Sequence, residues 1–260
     1  MAEDRRGKVL FLDGKFEEAL REFYNAASEG DADAAFDYAF ANQFGFGTEK
    51  NPAVARSFYT FAKERVPEAC YNLAVMHLHA EGAPRDYRLT YEYMRDAAEA
   101  GVIEAQLYLG VAHTMGTLFE PDIIAISRIP YHTPIQRDEA LMLDGDVPDL
   151  EADEEARVRA VRFDPRSAFE WFRAAAAADP TYVEALSTQG KYLYARCFSD
   201  GLGTDFDRKR AEDLMLVAAS DGSPDALLYI QENAPYRLPE LEEEHAITRI
   251  RRTERLAGKA

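Results

Sequence analysis

Small residues recur along the chain at an interval longer than any single helix or strand produces. Ala34, Ala69, Ala105, Gly190 and Ala226 are separated by 35, 36, 85 and 36 residues. Around each anchor the pattern is helical. A large apolar residue follows at two and four positions and a small one at five. These are Phe36, Tyr38 and Ala39, then Tyr71, Leu73 and Ala74, then Leu107, Leu109 and Gly110, then Tyr192, Tyr194 and Ala195. Small residues on one helical face let a neighbouring helix approach closely, and the large ones fill the space beside it. Glycines follow this first helix, Gly45 with Gly47, then Gly82, Gly116, and Gly201 with Gly203. They predict helix ends and turns.

A second helix is predicted after each turn. It opens at an Asp or Asn and runs to alanine: Asn51 to Ala62, Asp86 to Ala98, Asp164 to Ala176, Asp207 to Ala219. A short polar side chain there can cap an orphan backbone N–H, and Pro52 and Pro165 occupy the first helical position, where a missing N–H costs least. Phe58 with Tyr59, Tyr93 with Met94, Trp171 with Phe172 and Leu214 with Met215 form the apolar stripe, and Gly101 and Gly222 close the helix. A period of this length containing two helices predicts an all-α fold, a right-handed superhelix (solenoid) of tandem two-helix repeats.

The run Ala-x-Leu-x-Leu-Gly, a turn glycine, then Asp-x-x-x-Ala-x-x-Trp-Phe-x-x-Ala-Ala resembles the Sel-one-like repeat (SLR), a branch of the tetratricopeptide-type solenoids. Gly7, Leu10, Ala19, Phe23 and Ala26 resemble the tetratricopeptide form itself. The resemblance covers most of residues 5–116 and 164–232. It departs at His77 and His113, which replace a tyrosine, and at Val66 and Asp179-Pro180, which replace closing glycines.

The long interval resolves into two insertions. Seven residues lengthen the first helix of the Gly190 unit, two helical turns that preserve its buried face, and predict a helix from about Pro180 to about Phe198. A further 42 residues fall between Asp122 and Asp164, each at the place where a second helix should open. The domain reading is a repeat solenoid over 1–235, with this insertion within about 117–163, and a terminal capping helix and tail over 236–260. Pro121 to Pro134 is apolar enough to pack on the solenoid. Asp138 to Glu155 carries nine carboxylates and no Lys or Arg, and reads as a solvated acidic loop or a partner-facing element. Asp144, Asp146 and Glu155 approach calcium-loop spacing, but Pro148 stands at a ligand position. In the tail, Leu241, Ile247, Ile250 and Leu256 form an apolar side beside Arg249, Arg251, Arg252 and Arg255.

Composition narrows the function classes. The formal charge of −17 opposes a phosphate backbone and favours a basic protein or peptide. The opening Met-Ala-Glu-Asp-Arg-Arg, with apolar residues only from Val9 to Leu12, predicts no secretory leader. No run approaches the ~20 apolar residues of a bilayer span, so the expectation is a cytoplasmic protein without a membrane segment. Cys70 and Cys197 lie in different units and predict two reduced, buried thiols.

The candidate chemistry is sparse. His77, His79, His113, His132 and His245 contain no pair at i, i+4 spacing, so no helix offers a zinc face. The chain has no Gly-x-Ser-x-Gly, phosphate loop or dinucleotide fingerprint. The sequence therefore predicts a non-enzyme with no catalytic, cofactor or metal residues and no cofactor. The family resemblance implies a scaffold or adaptor binding a protein or peptide on its concave face. A bacterial immunity or antitoxin-like inhibitor, occluding a toxin with groove and insertion, is the alternative; a hydrolase or metal-binding repeat protein is a second. In tetratricopeptide-type arrays the first helix of each pair lines the groove. Carrying that over by offset names Phe40, Phe44, Val75, Leu78, His79, Val111, Met115 and Arg196 as partner-binding residues. The apolar ones either bury a partner peptide or lie beneath the insertion's apolar half.

Overall fold

The computed structural model describes residues 2–118, 161–178 and 184–241. Among them are eleven α-helices and one 3-10 helix, with no strand. The helices are α1 (Ala2–Leu12), α2 (Phe16–Ser28), α3 (Ala32–Phe44), α4 (Pro52–Ala62), α5 (Pro67–Leu78), α6 (Tyr87–Glu99) and α7 (Ile103–Met115), then α8 (Pro165–Ala176), α9 (Glu184–Asp200), α10 (Arg208–Ser220) and α11 (Pro224–Asn233), followed by the 3-10 turn Pro235–Arg237. The fold is an all-α solenoid in which helices consecutive in the chain pack on one another. The chain divides into two compact units, Met1–Tyr108 with Met115–Arg162, and Leu109–Thr114 with Phe163–Ala260.

The caps explain where the second helices start. Asn51 accepts from the Val54 N–H at 3.2 Å, Asp86 from Leu89 at 3.0 Å and Asp207 from Arg210 at 3.0 Å. Asp164 accepts from Arg166 and Ser167 at 3.1 and 3.2 Å. Each satisfies a donor that the first turn leaves without a helical partner. The same residues also fasten each pair. The N–H of Asn51 donates to the Asn42 carbonyl at 2.8 Å, that of Asp86 to His77 at 3.2 Å and that of Asp207 to Phe198 at 3.0 Å. Donor and acceptor are nine residues apart in all three. In the fourth pair the Asp164 N–H reaches the His113 carbonyl at 3.0 Å across 51 residues. The excess is the 42-residue insertion, which leaves the fastening bond of its pair in place.

The anchors lie where the helices approach most closely. Ala34, Ala69, Ala105 and Ala226 are all 0% exposed. A Cβ on Gly190 would stand 2.8 Å from the backbone carbon of Ala175, and one on Gly110 would collide with the Phe172 ring. At the amino end a Cβ on Gly7 would meet the Phe23 ring at 2.6 Å, which accounts for the tetratricopeptide-like start. Cys70 and Cys197 are free and buried, and burial pushes their thiols up to about 11 and about 12.

Two turns differ from the sequence expectation. Val66 is the N-cap of α5 with φ −122°, rather than a replaced closing glycine. The interval of 35 arises because this turn is one residue shorter than its counterparts ending at Gly30, Gly101 and Gly222, so no residue takes the left-handed glycine place. Ala80, in contrast, does stand in a left-handed slot, with φ 58°, where the neighbouring units have Gly45, Gly116 and Gly201. The predicted start of α9 near Pro180, most of the long insertion and the tail beyond Leu241 lie outside the described residues. Leu241 itself is buried against the α10 and α11 core.

Candidate interaction surface

In the first unit the α3 and α5 residues named by offset from the anchors differ in exposure. Phe40 stacks on Phe46 at 5.8 Å and meets Phe44 at 4.7 Å, and Phe46 reaches Phe11 and Phe16 at 5.2 Å each. This aromatic cluster buries Phe40 to 1% exposure and leaves Phe44 half-buried. Val75 and Leu78 are buried too. Offset counting placed these three on a face, but their neighbours cover them. His79 is half-buried and ends α5, its N–H donating to the Val75 carbonyl at 3.0 Å. Met115 is exposed at 56%.

Beside that cluster a polar network fixes the turn after α5. The Tyr59 hydroxyl donates to Gln43 Oε1 at 2.9 Å, and Gln43 Nε2 donates to Glu81 at 2.8 Å. Burial raises the Glu81 carboxyl above its usual range. Lys8 sits 3.5 Å from the buried carboxylate of Asp37. His77, stacked on Tyr93 at 5.8 Å, is held below the ordinary imidazole value by burial. These groups lie inside the repeat frame and have structural partners.

The second unit contains Val111, which is half-buried, and Arg196. Arg196 lines an open cleft of about 710 Å³ between α9 and α11. One wall is built along a single face of α9. The Arg196 guanidinium donates to Asp200 at 2.6 and 3.0 Å and to the Tyr192 hydroxyl at 3.2 Å, and Ser199 also donates to Asp200. The Asp200 bonds push the Arg196 pKa up. The other wall is α11, which presents Asp225, Leu228, Tyr229 and Glu232 at i, i+3, i+4 and i+7, spacing that keeps them on one face. Phe206, in the turn before α10, stands at the rim, 67% exposed, and Leu228 is 51% exposed.

Arg208 fastens the floor of this cleft. It donates to Glu212 at 2.8 Å and to the Asn233 carbonyl at 3.0 Å, and Tyr236 donates to the same Glu212 carboxylate. Burial alone would raise Glu212, but the bonds from Tyr236 and Arg208 outweigh it and hold the carboxyl below the usual range. Among the described residues no group of three or more His, Cys, Asp or Glu side chains could hold a metal. No described helix is long and apolar enough to cross a membrane.

Only Arg196 of this cleft was named by offset counting. Asp225, Leu228, Tyr229 and Glu232 escape it because the unit beginning at Ala226 breaks off at Pro235, before a second helix could identify its first, and Phe206 escapes it because it lies in a turn and not on a first helix. The signal was present in the i, i+3, i+4, i+7 stripe of α11 and in an isolated Phe within a Gly-rich turn.

Stacked helix pairs with a first-helix cleft define a tandem-repeat protein. Residues 32–65, 67–102, 103–125, 159–180 and 188–223 match the Sel1 repeat, and the chain belongs to the Sel1 repeat family. Members of that family mediate protein–protein interactions on a scaffold that is typically non-catalytic. A 79-residue stretch is 33% identical to the ERAD-associated E3 ubiquitin-protein ligase component HRD3B of Arabidopsis thaliana, covering 30% of this chain and 13% of that protein. The chain thus spans a small part of that relative's length. A Sel1 repeat protein from Oxalobacter formigenes superimposes with a TM-score of 0.64 over 87% of this chain and 74% of its own, at 18% identity. A protective antigen of uropathogenic Escherichia coli with an SLR fold aligns over 90% of this chain and 49% of its own, at 21% identity and a TM-score of 0.40.

Proposed function

We propose that this protein is a non-catalytic scaffold or adaptor that binds a partner protein or peptide on its first-helix faces. The observation that carries this reading is the cleft between α9 and α11. Its floor and one wall are held by bonds among Tyr192, Arg196, Asp200, Arg208 and Glu212, while Phe206 and Leu228 stay exposed at its opening. A pre-ordered wall loses little entropy on binding, and exposed large apolar side chains gain most when covered. Separately, the first unit offers Phe44, His79 and Met115 as further candidate contacts, with Phe40, Val75 and Leu78 buried behind them, and the second unit offers Val111.

Site-specific photo-cross-linking tests the reading. A benzophenone amino acid replaces Phe206 at the cleft or, separately, Phe61 on the second helix α4, which is 54% exposed. The expected result in the native cell is one discrete cross-linked species from position 206 and none from position 61. The same products from both positions, or none from either, would contradict it.

A further inference from the structure

We propose, resting on the scaffold reading above, that the cleft between α9 and α11 recognises an arginine-bearing peptide segment with apolar neighbours. The cleft lining holds Arg196 and Arg208 against Asp200, Asp225 and Glu232. Both arginines are already engaged, Arg196 by Asp200 at 2.6 Å and Arg208 by Glu212 at 2.8 Å. Asp225 and Glu232 are exposed, and neither has an ion pair among the described residues. The cations of the cleft are therefore neutralised from within, and two carboxylates are left open to solvent.

Those carboxylates are two helical turns apart on α11, about 10 Å at 1.5 Å per residue. Leu228 and Tyr229 lie between them, and Phe206 lines the same cleft. An extended peptide rises about 3.3 Å per residue, so two cationic side chains three residues apart span this stripe with two apolar residues between them. Arginine suits the site better than lysine, because its planar guanidinium pairs with a carboxylate and also stacks on a tyrosine or phenylalanine face. The chain's formal charge of −17 adds long-range attraction for such a segment. Asp225 also lies in the first turn of α11, where a carboxylate stabilises a helix. That role needs no ligand and does not extend to Glu232, near the other end.

The test titrates the whole chain with a fluorescein-labelled peptide in which successive arginines are separated by two leucines, its arginine-to-lysine version and its arginine-to-glutamate version, read by anisotropy. The arginine peptide is expected to bind most tightly and the glutamate peptide not at all. Asp225→Asn with Glu232→Gln should weaken arginine-peptide binding at least tenfold in a protein that stays folded, with only the small drop in melting temperature expected from losing a carboxylate in the first turn of α11. Glu17→Gln with Glu18→Gln, which removes two exposed charges from α2, should leave it unchanged. Equal weakening by both double variants would reduce the effect to the general field of an acidic chain and overturn the proposal. So would arginine and glutamate peptides that bind alike. In those cases the scaffold reading survives if position 206 still cross-links a partner; loss of that cross-link is the separate failure of the scaffold reading itself.

Discussion

A Cβ on Gly82 would stand 2.7 Å from the backbone carbon of Pro52, the first residue of α4. Gly47 has the same relation, at 2.5 Å, to Phe16 at the head of α2, and Gly203 to Pro165 at the head of α8. The turn that ends one first helix is thus seated on the start of the preceding second helix. Both the contact and the positive φ of 70° at Gly82 exclude a side chain. Gly82→Ala is expected to destabilise by about 2–4 kcal/mol, combining a left-handed penalty of about 1–2 kcal/mol with displacement of close-packed backbone. Gly101→Ala, at φ 95° with nothing near its Cβ, should cost only the backbone penalty. Equal losses for the two in urea unfolding would remove the packing role.

Ala80 offers the reverse experiment. Its φ of 58° is the one positive value at a non-glycine among the described residues. Ala80→Gly relieves the left-handed penalty but loosens the unfolded chain, for a net gain of about 0.5–1 kcal/mol. A higher denaturation midpoint at unchanged slope is the expected observation. A lower midpoint would show that the methyl group makes a contact worth more than the strain.

Glu104 is 8% exposed on α7. Burial, with the charge of Glu68 adding to it, raises its carboxyl above the usual value of 4.5. The folded state therefore holds this proton more tightly than the unfolded chain does. The group's unfavourable contribution is fully present above the raised pKa and disappears as pH falls below 4.5. Glu104→Gln should accordingly raise the melting temperature at neutral pH and converge on the wild type in acid. A variant less stable than wild type at pH 7 would mean that the carboxylate has a compensating role.

Much of this architecture was legible in the sequence, because the frame is made of residues with narrow physical roles. Asn51, Asp86, Asp164 and Asp207 cap helices, and Ala34, Ala69, Ala105 and Ala226 permit close approach; such roles leave a periodic trace. The size of the insertion was legible for the same reason, since the Asp164 to His113 bond requires the spacing found in the other pairs. The interaction surface was less legible. Offset from an anchor states which way a side chain leaves its helix, not whether another ring covers it, and Phe40 is covered by Phe44 and Phe46. The short turn at Val66 was hidden because a deleted glycine and a substituted one look alike when only one unit carries the change.

The spacing argument gives its own prediction. Deleting residues 121–162 brings Asp164 back to nine positions after His113, the separation in the other pairs, and the shortened chain is expected to keep its helicity and unfold cooperatively. Buried Val161 is lost with the segment, so a decrease of up to about 2 kcal/mol is expected. A broad or absent unfolding transition would show that the insertion builds the fold instead of interrupting it.

The most direct test of the interaction role is the affinity of the partner cross-linked at position 206, measured by calorimetry against wild-type protein and Phe206→Ala. The Phe206 side chain is 67% exposed, so its removal should leave melting unchanged. As an aromatic anchor at an interface it should contribute about 2 kcal/mol, a loss of roughly thirtyfold in affinity. That loss with intact melting is the predicted result; wild-type affinity in the folded variant would contradict the account.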